Sequence, residues 1–385
     1  MKFSIVSVAI CLISGKIAVA SSDVAHTPED ESGRPNPLKR STRGDDILQM
    51  LWYRLSSSNS SSLLKKYLTE DVFIKLKDRV TRYNGTLADC IRSGCMNPQS
   101  ECGIYASDPY AYDIFSRLFY PIIRDYNRIE EVEQPNTDLR VLSADEFDDL
   151  DPDDNSIVSV RISVRRSLAN YGFPPTTTNE ARIAMERKTT EALNTLDGEL
   201  AGTYFNLTSM GQDSYQTTAN DFQLENDNPE KHDAYVYRDW PIGRGVFLSH
   251  DRKFLVLLNE EDHLHFVSMQ KGGNLDAAWN SVAKALNSLE KILTFARHQR
   301  LGFLTFSPTN LGTALRVSLQ IRIPNLSKNM TRFKQLCDTY SLHQQRIGES
   351  VFDISNKRIL GLTERQILNG IQTGVKVIFV AENEG

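Results

Sequence analysis

The hydrophobic rhythm of this chain changes period partway along. Up to about Tyr126 it is helical: LLKKYLTEDVFIKLKDR sets Leu64, Leu68, Val72 and Leu76 four apart, on one face of a helix. Residues 130–154 are acidic and interrupted by Pro135 and Pro152, which reads as a solvated linker. Beyond it a period of two takes over. Val158, Val160, Ile162 and Val164 alternate with Ser159, Arg161, Ser163 and Arg165, and Leu315 to Ile323 alternate with Arg316, Ser318, Gln320 and Arg322. Each run predicts a strand with one apolar and one polar face. Residues 254–258 form a shorter apolar run, and Asn274 is placed to cap a helix carrying Trp279, Val282, Leu286, Leu289 and Leu293. The run LGFLTFSPTNLGT, 301–313, ends at Ser307, where Pro308 forces a turn. The pattern predicts an α+β protein. A small all-helical domain at 46–134 and an acidic linker at 135–154 precede a larger domain at 155–385, whose central antiparallel-rich sheet is flanked by helices.

The first residues break the pattern. Lys2 precedes an apolar run to Ile13, and Ala18-Val19-Ala20 gives a small-x-small cleavage site, so 1–20 reads as a signal peptide and 21–45 as a disordered leader. The protein is therefore expected outside the cell. Cysteine placement agrees with an oxidising compartment: Cys90, Cys95 and Cys102 cluster, with Cys95–Cys102 the preferred disulfide and Cys90–Cys102 its competitor, while Cys337 reads as a buried free thiol. Glycosylation sequons fall at Asn59, Asn84, Asn206, Asn325 and Asn329. A net charge of −5 leaves no electrostatic footprint for nucleic acid. No later apolar stretch is long enough to span a membrane, and no spacing reads as a metal site.

Chemistry-bearing residues are few. Arg161 and Arg316 lie on the polar faces of the two long predicted strands, and a guanidinium fork suits phosphate oxygens. The segment NEEDHL, 259–264, sets Glu260 beside Glu261, which would point to opposite sides if the strand continued.

Longer strings carry more. SLLKKYLTEDVF, GIYASDPYAY, GELAGTY, DWPIGRGVF, NEEDHLHFVSMQKGG, SPTNLGT, DISNKR and LGLTE together resemble the phosphagen kinases, the ATP:guanidino phosphotransferases, and among them the arginine kinases. The resemblance implies the phosphagen kinase fold, with MgATP held between a helical domain and a sheet domain and a γ-phosphoryl passed in line to a guanidino nitrogen such as that of arginine. Catalysis of that kind rests on alignment and on charge stabilisation by arginines. By resemblance Arg161 and Arg316 are phosphate-clamping arginines, and Glu261 is the carboxylate that orients the guanidinium. Cys102, Gly103 and Tyr105 belong to the loop that recognises the amino-acid end of the substrate.

Several positions depart from that pattern. Ser163 and His265 stand where the family has arginines, Asp221 where an adenine-stacking histidine falls, and Ser307 where a reactive cysteine would face the guanidinium. HQQRIGES, 343–350, is all that remains of a longer mobile loop. Arg165, roughly 7 Å beyond Ser163 on the same strand face, and Arg346 are candidate compensators. A single phosphate-stabilising arginine can be worth roughly 10³–10⁵ in rate. These losses predict a secreted, catalytically impaired arginine-kinase-like protein that acts by binding a ligand or an extracellular protein partner. The alternative is an active extracellular phosphotransferase using Arg161, Arg316 and Glu261.

Overall fold

The structure, a computed structural model, describes residues 42–143, 146–147, 150–151, 155–224 and 228–384. The expected signal peptide, most of the expected leader and parts of the acidic linker lie outside the described residues. Residues 45–385 form one compact unit.

Six helices come first: α1 (Thr42–Ser57), α2 (Leu63–Tyr67), α3 (Glu70–Leu76), α4 (Leu87–Met96), α5 (Ala111–Ile114) and α6 (Ser116–Asn127). Helix α1 begins within the last residues of the expected leader, because Leu48, Leu51 and Leu55 form an apolar stripe that is fully buried. The Leu64–Leu76 periodicity is split between two helices. Thr69 accepts a hydrogen bond from the Val72 amide and starts α3 afresh.

The rest of the chain builds the sheet: β1 (Ile157–Arg166), α7 (Asn179–Leu193), β2 (Gly202–Asn206), α8 (Gln212–Asp221), α9 (Pro229–Asp233), β3 (Gly245–Ser249), β4 (Phe254–Leu258), β5 (Leu264–Lys271) and α10 (Leu275–Leu289). A two-stranded ribbon, β6 (Arg297–His298) and β7 (Gly302–Phe303), follows, then β8 (Leu315–Arg322), α11 (Met330–Thr339), β9 (Leu342–Arg346), β10 (Val351–Asn356) and α12 (Glu364–Asn383). Eight strands pair in the order β2-β3-β4-β5-β1-β8-β10-β9, and every pairing is antiparallel.

The two predicted strand faces resolve as expected at β1 and β8, where Ile162 pairs with Val317 and Val164 with Leu315. This apolar face packs beneath α10 and α12, in a core that includes Trp279, Leu286, Ile371 and Val375. Each such side chain contributes about 1.5–3 kcal/mol on burial. Asn274 caps α10 by accepting from the Ala277 amide. A second core gathers the N-terminal helices around Phe115 and Phe119 and takes in Phe173, Val236, Leu304, Phe306 and Leu360 from the sheet-bearing part. The loops that end the strands are thereby pinned against the helices.

The four described cysteines are thiols, which corrects the expected Cys95–Cys102 disulfide. Cys90 and Cys95 are buried in the helical core. The loop at 101–102 is held instead by backbone bonds from the Leu63 amide to Glu101 O (2.9 Å) and the Leu64 amide to Cys102 O (3.0 Å). Burial pushes the Cys95 and Cys102 thiols up to about 12. Asn59, Asn84, Asn325 and Asn329 are exposed, whereas the Asn206 amide donates to Glu186 at 2.5 Å.

Candidate active site

Three chain segments converge at one end of the sheet. The first is the loop 100–106. Gly103 takes φ +76°, a backbone region that favours glycine, and Gly94 on α4 lies so close that a Cβ there would sit 2.1 Å from Gly103 O. The Tyr105 ring stacks on Phe306 with centroids 4.7 Å apart, and the Ala106 amide donates to Phe306 O at 2.9 Å. The second is the turn 305–307. Ser307 is buried, hydrogen-bonds the Thr309 hydroxyl at 2.8 Å and caps a short 3-10 turn. The third is the 259–263 turn, which the Phe306 amide joins by donating to Asp262 Oδ1 at 2.7 Å.

Glu260 and Glu261 would point to opposite sides only if the strand continued, and it does not. Strand β4 ends at Leu258, and Asn259 turns the chain with φ +54°. Both carboxylates then reach the same ammonium: Lys231 Nζ lies 3.3 Å from Glu260 Oε1 and 3.3 Å from Glu261 Oε2. Glu261 also lies 3.6 Å from Arg165 Nη2, and Arg165 Nε is 3.8 Å from Asp262 Oδ2. Glu261, Asp262 and Lys231 are all buried, so these pairings replace water rather than merely supplement it. Burial, and then the charge of Glu261, push the Asp262 carboxyl above the usual carboxylate range.

Lys231 comes from α9, which starts at an Asn228 cap with Pro229 in its first turn. The same helix ties down the loop 100–105. Glu230 Oε2 accepts from Ser100 Oγ (2.8 Å) and Tyr105 Oη (3.0 Å), its carbonyl accepts from Ser93 Oγ (2.8 Å), and Asp233 accepts from the Asn97 amide (2.9 Å).

The polar sheet face runs away from this cluster. Arg165 of β1 is the register partner of His265 on β5, and Ser163 pairs with Val267 on one side and Arg316 of β8 on the other. Arg161 lies further along β1, between Met269 and Ser318. His265 is buried. Burial first, and then the charges of Arg165, Arg161 and Lys231, hold its imidazole well below the usual histidine range. It is neutral at pH 7, so its 4.0 Å approach to Glu260 is not an ion pair. The buried Arg316 Nε and both ring nitrogens of His265 have no hydrogen-bond partner.

The remaining expected positions lie apart. Asp221, at the end of α8, pairs with Arg252 at 3.0 Å, with both side chains half exposed. Arg346 ends β9, where its guanidinium donates to Glu349 O and, at 3.1 Å, to Gly348 O and lies over the Phe352 ring. The segment read as a shortened loop is a tight hairpin that holds its own arginine. Sequence reasoning overlooked Lys231, Glu230 and Asp262. The signal for Glu230 and Lys231 was a charged Asn-Pro-Glu-Lys start to a short helix just ahead of DWPIGRG, and Asp262 lay within the NEEDHL segment already singled out.

This combination of a helical segment and an eight-stranded antiparallel sheet has known counterparts. Residues 58–124 match the ATP:guanido phosphotransferase N-terminal domain, and residues 184–385 match the C-terminal catalytic domain. The chain belongs to this family of phosphagen kinases. Within it, the chain is arginine-kinase-like. It is 47% identical over 329 residues to the arginine kinase Oct f 2 of Amphioctopus fangsiao, spanning 83% of this chain and 94% of that protein. It is 46% identical over 345 residues to an arginine kinase of Liolophura japonica, spanning 87% of this chain and 98% of that one. Among solved structures, the substrate-free duplicated taurocyamine kinase from Schistosoma mansoni superposes with a TM-score of 0.83 at 38% identity, covering 87% of this chain. The chain spans about half of that duplicated protein, 49% of its length. A lombricine kinase gives a TM-score of 0.78 at 29% identity over 84% of this chain and 93% of that one.

Proposed function

We propose that this is a secreted, arginine-kinase-like protein whose phosphoryl transfer is strongly reduced and which acts by binding. One observation carries the reading: Glu261, the carboxylate that by resemblance should orient a substrate guanidinium, is paired within 3.6 Å with Lys231 and Arg165 of its own chain. An incoming guanidinium must displace a buried ammonium from Glu261, and the displaced Lys231 would keep only Glu260 of the two carboxylates it meets. Breaking a buried pair of this kind costs about 3–5 kcal/mol.

The nucleotide side supports the same reading. A polyphosphate would meet Arg161, Arg165 and Arg316, so the sheet face suits an anion. Its family arginine positions at 163 and 265 hold a serine and a neutral imidazole, however, and Asp221 offers no ring on which a base could stack. MgATP or MgADP is therefore expected to bind weakly. Export rests on the apolar run and cleavage pattern at 1–20. The occupant would be a guanidino compound, another small molecule or an extracellular protein.

The second reading is a working phosphotransferase acting on arginine or a related guanidino compound. The shared sheet face of Arg161, Arg165 and Arg316 favours it, as does similarity to proteins named arginine kinases. A coupled assay with phosphoarginine, ADP and Mg²⁺, run beside a thermal shift with MgADP, separates the two. We expect turnover at least about 10³ below an arginine kinase assayed in parallel. Turnover within tenfold of that enzyme would sink the first reading.

A further inference from the structure

Helix α9 is five residues long, about 7.5 Å at the rise of an α-helix, and it fastens three other segments. Two adjacent side chains serve two of them. Glu230 Oε2 accepts from Ser100 Oγ and Tyr105 Oη of the loop 100–106. Lys231, the next residue, meets Glu260 and Glu261 of the 259–263 turn. A further set of bonds ties the helix to α4: the Glu230 carbonyl accepts from Ser93 Oγ, and Asp233 accepts from the Asn97 side-chain amide. Just past the helix, Ala234 and Val236 are buried in the helical core.

The loop and the turn also act on each other. Burial first, and then the charges of Glu230 and Glu261, hold the Tyr105 hydroxyl above the usual tyrosine range, so it stays protonated and donates to Glu230. A helix this short has little stability of its own and takes it from what it packs against. Residues 230 and 231 share one turn of it and move together. A displacement that takes Lys231 from the turn therefore pulls Glu230 from the loop, and the coupling runs equally in reverse.

We infer that α9 is a strap that holds the loop 100–106 in place beside the 259–263 turn, with Glu230 as its positioning residue, and that release of Lys231 from Glu261 frees the loop at the same time. The strap rests on the reading of Glu261 as locked by Lys231 and carries that lock to the loop, whatever the level of phosphoryl transfer. Cys102 reports on the loop's state. It is half-buried, whereas Cys90, Cys95 and Cys337 are buried. Burial pushes its thiol up to about 12, which leaves little thiolate to react while the loop is held.

The test alkylates the full chain with iodoacetamide and follows each thiol by peptide mass spectrometry, with Cys337 on α11 as the monitor of global unfolding. Glu230→Ala removes the acceptor of two hydrogen bonds and should speed Cys102 alkylation at least about tenfold. Glu230→Gln, which keeps an acceptor oxygen, should stay nearer the parent rate. Lys231→Met, which alters the fastening to the turn, should speed Cys102 about tenfold as well. In the unmodified chain the Tyr105, Ala234 and Val236 amides donate to Cys90 O, Glu230 O and Lys231 O at 3.0 Å each. Their protection from hydrogen exchange should agree within about threefold, because one opening exposes all three. A Cys102 rate unchanged in folded Glu230→Ala or folded Lys231→Met protein would overturn the strap, as would protection more than about tenfold apart. Where Cys337 speeds up in step with Cys102, the variant has lost its fold, and exchange in the unmodified chain decides. The coupled kinase assay reads none of these rates, so the strap and the proposed function fail separately.

Discussion

The end of the cluster read by resemblance as substrate-facing and the sheet surface read as nucleotide-facing differ in how they are held. At the first, the loop 100–106, the turn 305–307, the 259–263 turn and α9 are joined by short hydrogen bonds and buried ion pairs. At the second, Asp221 and Arg346 hold exposed partners of their own, and His265 sits neutral among arginines. A scaffold can lose the contacts that recognise a nucleotide at little cost to stability when those side chains face solvent. It cannot loosen the loops between its two cores so cheaply, because their backbone amides and buried charges would be left without partners.

That contrast is open to test, and the largest effect is expected at Lys231. Lys231→Met leaves Glu260 without its ammonium and Glu261 with Arg165 alone, so urea unfolding should show a loss of about 3–5 kcal/mol. The same variant should bind free arginine more tightly than the parent chain does. An unchanged midpoint would mean that the lock is slack.

Acid provides the next test. His263 is pulled down to about 4 by burial, opposed by its hydrogen bond to Gly172 O and helped by the charge of Arg182, and His265 lies well below its usual range. A histidine whose folded pKa is depressed contributes stability that is fully present above 6.5 and is lost as pH falls toward the folded value. Each should contribute a slope of up to about 1.4 kcal/mol per pH unit between pH 6.5 and 4. Asp262 is raised and acts in the opposite sense, stabilising as pH falls, so Asp262→Asn should steepen the acid loss. Denaturant melts across that window check both signs, and a flat profile would contradict the burial of both imidazoles.

Gly94→Ala tests the close approach of α4 to the loop 100–106. Its Cβ would meet the Gly103 backbone, and overpacking of this kind costs about 1–3 kcal/mol. The smallest effects belong to the nucleotide side. Asp221→Ala removes an exposed ion pair and should change stability by less than about 1 kcal/mol. Arg346→Ala should behave alike, and a large loss at either position would erase the contrast.

Much of the fold was legible in the sequence. The alternating runs at 157–166 and 315–322 define their own faces, and Asn274 marks its own helix, because local periodicity and capping depend on nearby residues. Ser163, His265, Asp221 and Ser307 could be singled out for the same reason, as departures from motifs that are continuous in the chain. Less visible were the break at Thr69, the turn at Asn259 that sends Glu260 and Glu261 to one ammonium, and the free state of Cys95 and Cys102. Each depends on where a distant segment comes to rest.

The amino-acid order by itself determined the class of fold and the family, and it named the positions to compare with the family's motifs. Only the tertiary structure decided what the surviving groups face. Glu261 lies about thirty residues from Lys231 in sequence and about a hundred from Arg165, and no local rule links them. Their meeting follows from the antiparallel register of β1 with β5 and the docking of α9 against α4. Buried charges must find partners, and which partner is within reach is settled by packing.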